Sequence, residues 1–257
     1  MSIWHSCQGE KHLRSLQLDP WRVVEAQHVL SARDLVDNSE EHDLLESMLE
    51  DSKPPVDKEK GYLIFTPFRY PPLKYGSRFG SVLEPSLWYG SLELETAFAE
   101  TAHYRRLFLN DSAADLGYIE LILSAFRTRI KTDKGIDLSA APFDTYREQL
   151  SSKDSWRHSQ STGTDMRDAG VTAFVFYSAR HNEQAKNVAS FTPSVFCSKD
   201  NQYIHNLQNW QCIANREAVE FVRSGFPCEK RYRMTQVPIN AHSNEQMVNL
   251  TEENDGY

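Results

Sequence analysis

Arg78, Tyr89 and Glu100 stand at equal spacings of eleven residues within the stretch YGSRFGSVLEPSLWYGSLELETAFAETAHYRR, which runs from Tyr75 to Arg106. Arg78 lies between Gly76 and Gly80, in a turn whose backbone can come close to a ligand. Its planar guanidinium suits bidentate hydrogen bonding to a diphosphate. Tyr89 ends the aromatic run Leu87-Trp88-Tyr89; it can serve as a π surface or as a core aromatic. Glu100 is set among small and apolar residues, where a carboxylate is costly unless it is paired or functional. A buried salt bridge, with Arg78 as one candidate partner, is the structural account of Glu100. A fixed cation, a π surface and a shielded carboxylate together match a ligand that is anionic, aromatic and sugar-like at once. A dinucleotide has that chemistry.

Those side chains meet only if the intervening elements fold as a strand, a turn and a helix. SLWYG (86–90) reads as a short strand. Ser91 is placed to cap the helix ELETAFAETAHYRRLFL, with Glu93 and Glu95 in its first turn. On that helix Ala97, Glu100, Tyr104 and Leu107 share a face, and Glu100 is the lone charge of the stripe. A fourth candidate is Ser178, delivered with Ala179 and Arg180 at the end of VTAFVFY. That run is apolar on both faces and reads as a central strand. A hydroxyl at a strand end can anchor a ribose or an amide.

Elsewhere, WRVVEAQHVL (21–30) reads as a strand or a strand–helix junction, and YLIFTPF (62–68) as a β run stopped by Pro71 and Pro72. Asn38 with Glu41 forms a capping-box pattern. The helix behind it aligns Leu44, Leu45, Met48 and Leu49 on one face for docking on the core, with acidic residues from Asp37 to Glu50 opposite. Residues 51–61 read as a linker, 118–124 and 126–131 as two strands, and 132–157 as irregular apart from a helical YREQL. A helix is expected over about 161–169 with Gly170 as its C-cap, and further strands in SFTPSVF, NWQCIA, AVEFVRS and RYRMTQV. The tail 240–257 is Asn/Glu-rich and expected to be disordered. Strands outnumber helices without regular alternation, so the fold class is α+β, with a single domain over 1–239.

Composition narrows the function classes. The 257 residues are 40% apolar and 25% charged, ordinary for a globular chain, and the net charge is −8. That acidity disfavours nonspecific nucleic-acid or anionic-membrane binding, and the basic residues Arg223, Lys230, Arg231 and Arg233 read as a solvated strand face. No apolar run is long enough to span a bilayer and the N-terminus lacks a signal-peptide core, so a cytoplasmic location is the expectation. Cys7, Cys197, Cys212 and Cys228 form no zinc spacing, and His5, Cys7 and His12 have no second cluster, so no metal is expected. Neither GxGxxG, nor a GxxxxGK[ST] loop, nor a GxSxG elbow is present. The usual dinucleotide folds and a serine-hydrolase triad are thereby set aside.

GSRFG around Arg78, Tyr89 before the helix, ETAFAE around Glu100 and YSAR around Ser178 together resemble the RES-domain family, named for its Arg, Glu and Ser. The family's opening Arg-bearing strand resembles WRVVEAQ, which gives Arg22, so the resemblance covers about 21–196. It implies a compact α+β domain of mixed or antiparallel sheets with flanking helices, similar to ADP-ribosyltransferases and diphtheria-type toxins. It also implies an NAD+-consuming enzyme acting by hydrolysis, phosphorolysis or transfer of ADP-ribose, and for many members a toxin covered by an Xre-like antitoxin. NAD+ is then the substrate, and no further cofactor is implied. Arg78, Tyr89, Glu100 and Ser178 become the catalytic set, with Arg22 or Arg69 as a second diphosphate ligand. The acidic helix and linker at 37–61 depart from the compact pattern and make the antitoxin partnership less secure than the chemistry. A protein-modifying ADP-ribosyltransferase and a non-catalytic nucleotide-binding protein remain alternatives, and a homo-oligomer stays open.

Overall fold

The computed structural model describes residues 2–26, 36–51, 61–114, 116–223 and 230–235. In chain order its elements are α1 (Ile3–Ser6), β1 (Arg14–Leu18), β2 (Trp21–Glu25), α2 (Ser39–Asp51), α3 (Tyr62–Arg69), β3 (Trp88–Ser91) and α4 (Leu94–Asp111). There follow β4 (Ile119–Asp137), α5 (Arg147–Leu150), α6 (Arg157–Asp168), β5 (Ala173–Tyr177), β6 (Lys186–Ser190), β7 (Phe196–Cys197), β8 (Ile204–Ala214), β9 (Ala218–Arg223) and β10 (Lys230–Thr235). The class is α+β: one mixed sheet with helices against its faces.

β4 is the spine. It pairs antiparallel with β1, β2, β7 and β8, and parallel with β5. The sheet order is β10-β9-β8-β4-β2-β3-β6-β5, and β5 returns to β4, so five strands close on themselves. The closure is uneven, because β2 meets β3 only at Trp21–Ser91. Where those strands part, a cleft opens.

Two strands were expected over 118–131 and irregular chain beyond; the structure corrects both to the single strand β4. Its register against β8 shifts between Ala125 and Arg127, which is the break the sequence pattern registers. Its polar end survives because β1 and β5 flank it. Gly135 permits this, since a Cβ there would sit 2.4 Å from Leu16 Cγ.

The β run expected at YLIFTPF is instead the helix α3. Ile64 and Phe65 are buried on one face, and Phe68 packs edge-on to Phe196 at 6.3 Å. That packing, with Trp88 and Phe196 in the same cluster, outweighs the β preference of the residues and the Pro67 inside the helix. The α2 capping pattern forms, with Glu41 N–H donating to Asn38 Oδ1 at 2.9 Å. Of its expected docking face, Leu44 and Met48 are each 62% exposed and Leu45 is half-buried. Ser91 does not cap α4. It ends β3, and Glu93 takes the N-cap without a side-chain bond.

α6 spans 157–168 and ends on Gly170 at φ +77°, the left-handed position a C-terminal glycine supplies. β5 is buried between β4 and β6, as a strand apolar on both faces must be. Of SFTPSVF only Ser190, which ends β6, and Phe196, which opens β7, are strand, whereas β8, β9 and β10 carry the other three expected runs. β6 was not expected. Residues 27–30 of the first strand reading, most of the 51–61 linker, Cys228 and the 240–257 tail lie outside the described residues.

Candidate active site

One face of the sheet, carrying Tyr89 and Ser91 of β3, Phe176 of β5 and Asn187 of β6, forms the floor of a cavity of about 470 Å³. α4 supplies a wall through Ala97, Glu100, Thr101 and Tyr104. The chain from Gly76 to Leu87 supplies the opposite wall, and residues 70–73 close an end.

The Arg78 turn is pinned from several sides. Ser77 and Gly80 exchange backbone hydrogen bonds of 2.8 and 3.3 Å, closing the loop on Arg78 and Phe79. Gly76 holds φ +70°, and a Cβ there would come within 2.3 Å of Gly80 O. Phe79 is fully buried, its ring 4.8 Å from Phe174 and 4.9 Å from Phe176. Burying such a side chain contributes about 1.5–3 kcal/mol. Tyr89 Oη accepts from Phe79 N–H at 3.1 Å and shares a 2.9 Å hydrogen bond with Ser77 Oγ. From below, Gln160 Nε2 donates to the carbonyls of Tyr75 and Ser77, each at 3.1 Å. Arg78 itself is oriented by its Nη1, which donates to Ser152 O at 2.8 Å and more weakly to Leu150 O at 3.5 Å.

Glu100 is held differently. Its Oε1 accepts from Ser178 Oγ at 2.7 Å and from Asn187 Nδ2 at 2.6 Å. Asn187 is fixed in turn, because its Oδ1 accepts from Ser91 Oγ at 2.7 Å. Ser178 Oγ also accepts the Arg180 N–H at 3.1 Å. Both bonds fall on Oε1, so Oε2 has no partner among the described residues, and Glu100 lines the cavity. No ion pair joins Glu100 to Arg78; the two interact only through their fields. The salt-bridge account of Glu100 therefore gives way to a carboxylate oriented by neutral donors.

Electrostatics follow from burial. Desolvation pushes the Tyr89 phenol up to about 12, against the lowering effect of its hydrogen bonds, so it stays neutral. Burial also draws Arg22 down to about 10. Arg22 fills the gap where β2 and β3 part: its Nη1 donates to Tyr89 O at 2.9 Å and its guanidinium lies 5.3 Å from the Trp88 ring centre. Arg22 lines the cavity, whereas Arg69 is buried at the end of α3 and does not.

Arg78, Tyr89, Glu100 and Arg22 thus share one cavity, Ser178 reaches it through Glu100, and Arg69 stands apart. Sequence reading missed Asn187 and Gln160. Neither has a local signal, since Asn187 meets Glu100 across 87 positions and Gln160 meets Ser77 across 83. Among the described residues no group of three or more His, Cys, Asp or Glu is placed to hold a metal ion. No helix among them is long and apolar enough to cross a membrane.

The RES-domain family model matches residues 56–211. The chain belongs to the RES-domain family. Arg78, Tyr89, Glu100, Ser178 and Asn187 fall within the matched span, and Arg22 lies before it. Among solved structures, a chain of the M. tuberculosis MbcT–MbcA toxin–antitoxin complex is similar, at 9% sequence identity and a TM-score of 0.47. That similarity covers 79% of this chain and 90% of the other. No curated protein matches the chain.

Proposed function

We propose that this RES-domain protein is an NAD+-consuming enzyme that cleaves the bond between nicotinamide and ribose. The observation that carries the reading is the carboxylate of Glu100, anchored through Oε1 by Ser178 and Asn187, on the lining of a cavity that also presents Arg78 and Arg22. Nicotinamide in NAD+ is already a cationic leaving group, so its departure needs no general acid. One fixed carboxylate can then serve where ordinary glycosidases use two. Glu100 stabilises the positive charge that develops on the ribose and orients its hydroxyls or the nucleophile. Arg78, joined by Arg22, binds the diphosphate. Tyr89 shapes the floor and fixes the Arg78 turn, and Ser178 aims Glu100.

The nucleophile is water or phosphate, with free ADP-ribose or its 1″-phosphate as the product. Family membership also supports a toxin restrained by a partner protein. NAD+ loss measured with and without phosphate, with products identified by mass, tests the reading. A purified protein that binds NAD+ but leaves it intact at micromolar enzyme overturns it. Labelled protein bands in a lysate, without free ADP-ribose, place the chain among protein-modifying transferases instead.

A further inference from the structure

Arg180 ends the YSAR run and has no part in the roles assigned above, yet it stands against the same machinery. Its backbone N–H donates to Ser178 Oγ, the hydroxyl that holds Glu100. Its Nη2 donates to Lys153 O at 3.0 Å, while Arg78 Nη1 donates to Ser152 O at 2.8 Å. Two guanidiniums, reached from a turn at 78 and a strand end at 180, are therefore docked side by side on consecutive carbonyls of one short loop. A carbonyl satisfies a donor but supplies no counter-charge. The carboxylates facing the pair are Glu100 and the exposed Asp154, and neither forms an ion pair with either arginine.

Like charges so placed repel, and the local field shows it. Beyond the effect of burial, Arg78 disfavours the charged form of Arg180, while Glu100, Tyr104 and Asp154 favour it. His103, on the adjacent turn of α4, is pushed down to about 3 by burial and then by Arg180, Arg106 and Arg78. Both arginines are part-buried, and two such cations held together without a paired anion carry a cost that a bound anion removes.

We infer that Arg78 and Arg180 form a two-arginine clamp for a phosphoryl group beside Glu100. Planar donors on two sides match the oxygens of a phosphate, and the loop at 150–153 sets their separation. The inference rests on the proposed NAD+ reading for its two sources of phosphate: the diphosphate of the substrate, or inorganic phosphate poised to attack the ribose. In the second case a phosphate oxygen bonds to C1″ as the nicotinamide bond breaks, and nicotinamide leaves neutral with the electron pair.

The test is binding of pyrophosphate and of inorganic phosphate to the full chain by calorimetry, for wild type, Arg180→Gln and Arg180→Lys, with melting temperatures as the folding control. The expectation is about tenfold or greater weakening in Arg180→Gln, with Arg180→Lys between, because a charge-assisted hydrogen bond is lost outright or loses its fork geometry. Equal binding by folded wild type and Arg180→Gln overturns the clamp. Should Arg180→Gln fail to fold, the folded Arg180→Lys decides, and its wild-type affinity for both anions overturns the clamp equally. Turnover then separates the sources. A raised KM for NAD+ with either nucleophile assigns the clamp to the substrate diphosphate. A raised phosphate requirement at unchanged NAD+ KM assigns it to the attacking anion. Arg180-dependent binding in a protein that consumes no NAD+ keeps the clamp and removes the enzymatic reading; NAD+ turnover unaffected by Arg180→Gln does the reverse.

Discussion

Glu100 and Arg78 face one cavity but are held in opposite ways. The carboxylate takes two hydrogen bonds from neutral donors, both on one oxygen, and a third residue, Ser91, fixes one of those donors. The guanidinium donates to backbone carbonyls and has a second arginine for a neighbour. The negative end is therefore finished before any ligand arrives, while the positive end is geometrically fixed and electrostatically incomplete. This division suits a reaction in which charge develops next to the carboxylate and the anionic part of the substrate supplies what the arginines lack.

The comparison can be broken most directly at Glu100. Glu100→Gln keeps the shape and removes the charge, so kcat for NAD+ loss should fall by about 10²–10³ with KM within a few-fold. Turnover near that of wild type removes Glu100 from the chemistry. Asn187→Asp puts a second carboxylate where a donor stood. Two neighbouring carboxylates resist ionising together, so kcat should drop by about tenfold and its acidic limb should move to higher pH. An unshifted pH profile would mean Asn187 only packs.

At the positive end, Tyr89→Phe strands the buried Phe79 N–H at a cost of about 1–3 kcal/mol. The Arg78 turn loosens, so KM for NAD+ should rise more than kcat falls, and steady-state kinetics beside urea unfolding would read both. The smallest effect concerns His103. Its folded value is lowered from 6.5 to about 3, so the unfolded chain takes up a proton that the folded chain refuses. Stability should be unaffected above about pH 6.5 and decline as pH falls toward 3. In His103→Asn the urea midpoint should fall less over that window; an identical slope would show that burial and the neighbouring arginines do not hold His103 neutral.

Much of the site was legible in the residues because its elements are local. A glycine-flanked Arg, a short aromatic strand and a helix with one carboxylate in an apolar stripe are short-range patterns, and all three formed. What failed was also instructive. YLIFTPF is rich in β-type residues, and its helical state comes from Ile64 and Phe68 packing in a distant cluster with Trp88 and Phe196. Leu44 and Met48 have the spacing of a docked face, but amphipathic spacing does not supply a surface to dock on, and both stay exposed.

The sequence alone determined the chemical types present, the turn that carries Arg78 and the helical face that carries Glu100, since these depend on backbone preferences over a few residues. Only the tertiary structure decided that Asn187 and Ser178 would converge on a single oxygen of Glu100, that Arg22 rather than Arg69 would reach the cavity, and that Arg180 would stand beside Arg78. Those meetings depend on strand order and register, which join residues roughly seventy to a hundred positions apart, and no local preference reaches that far.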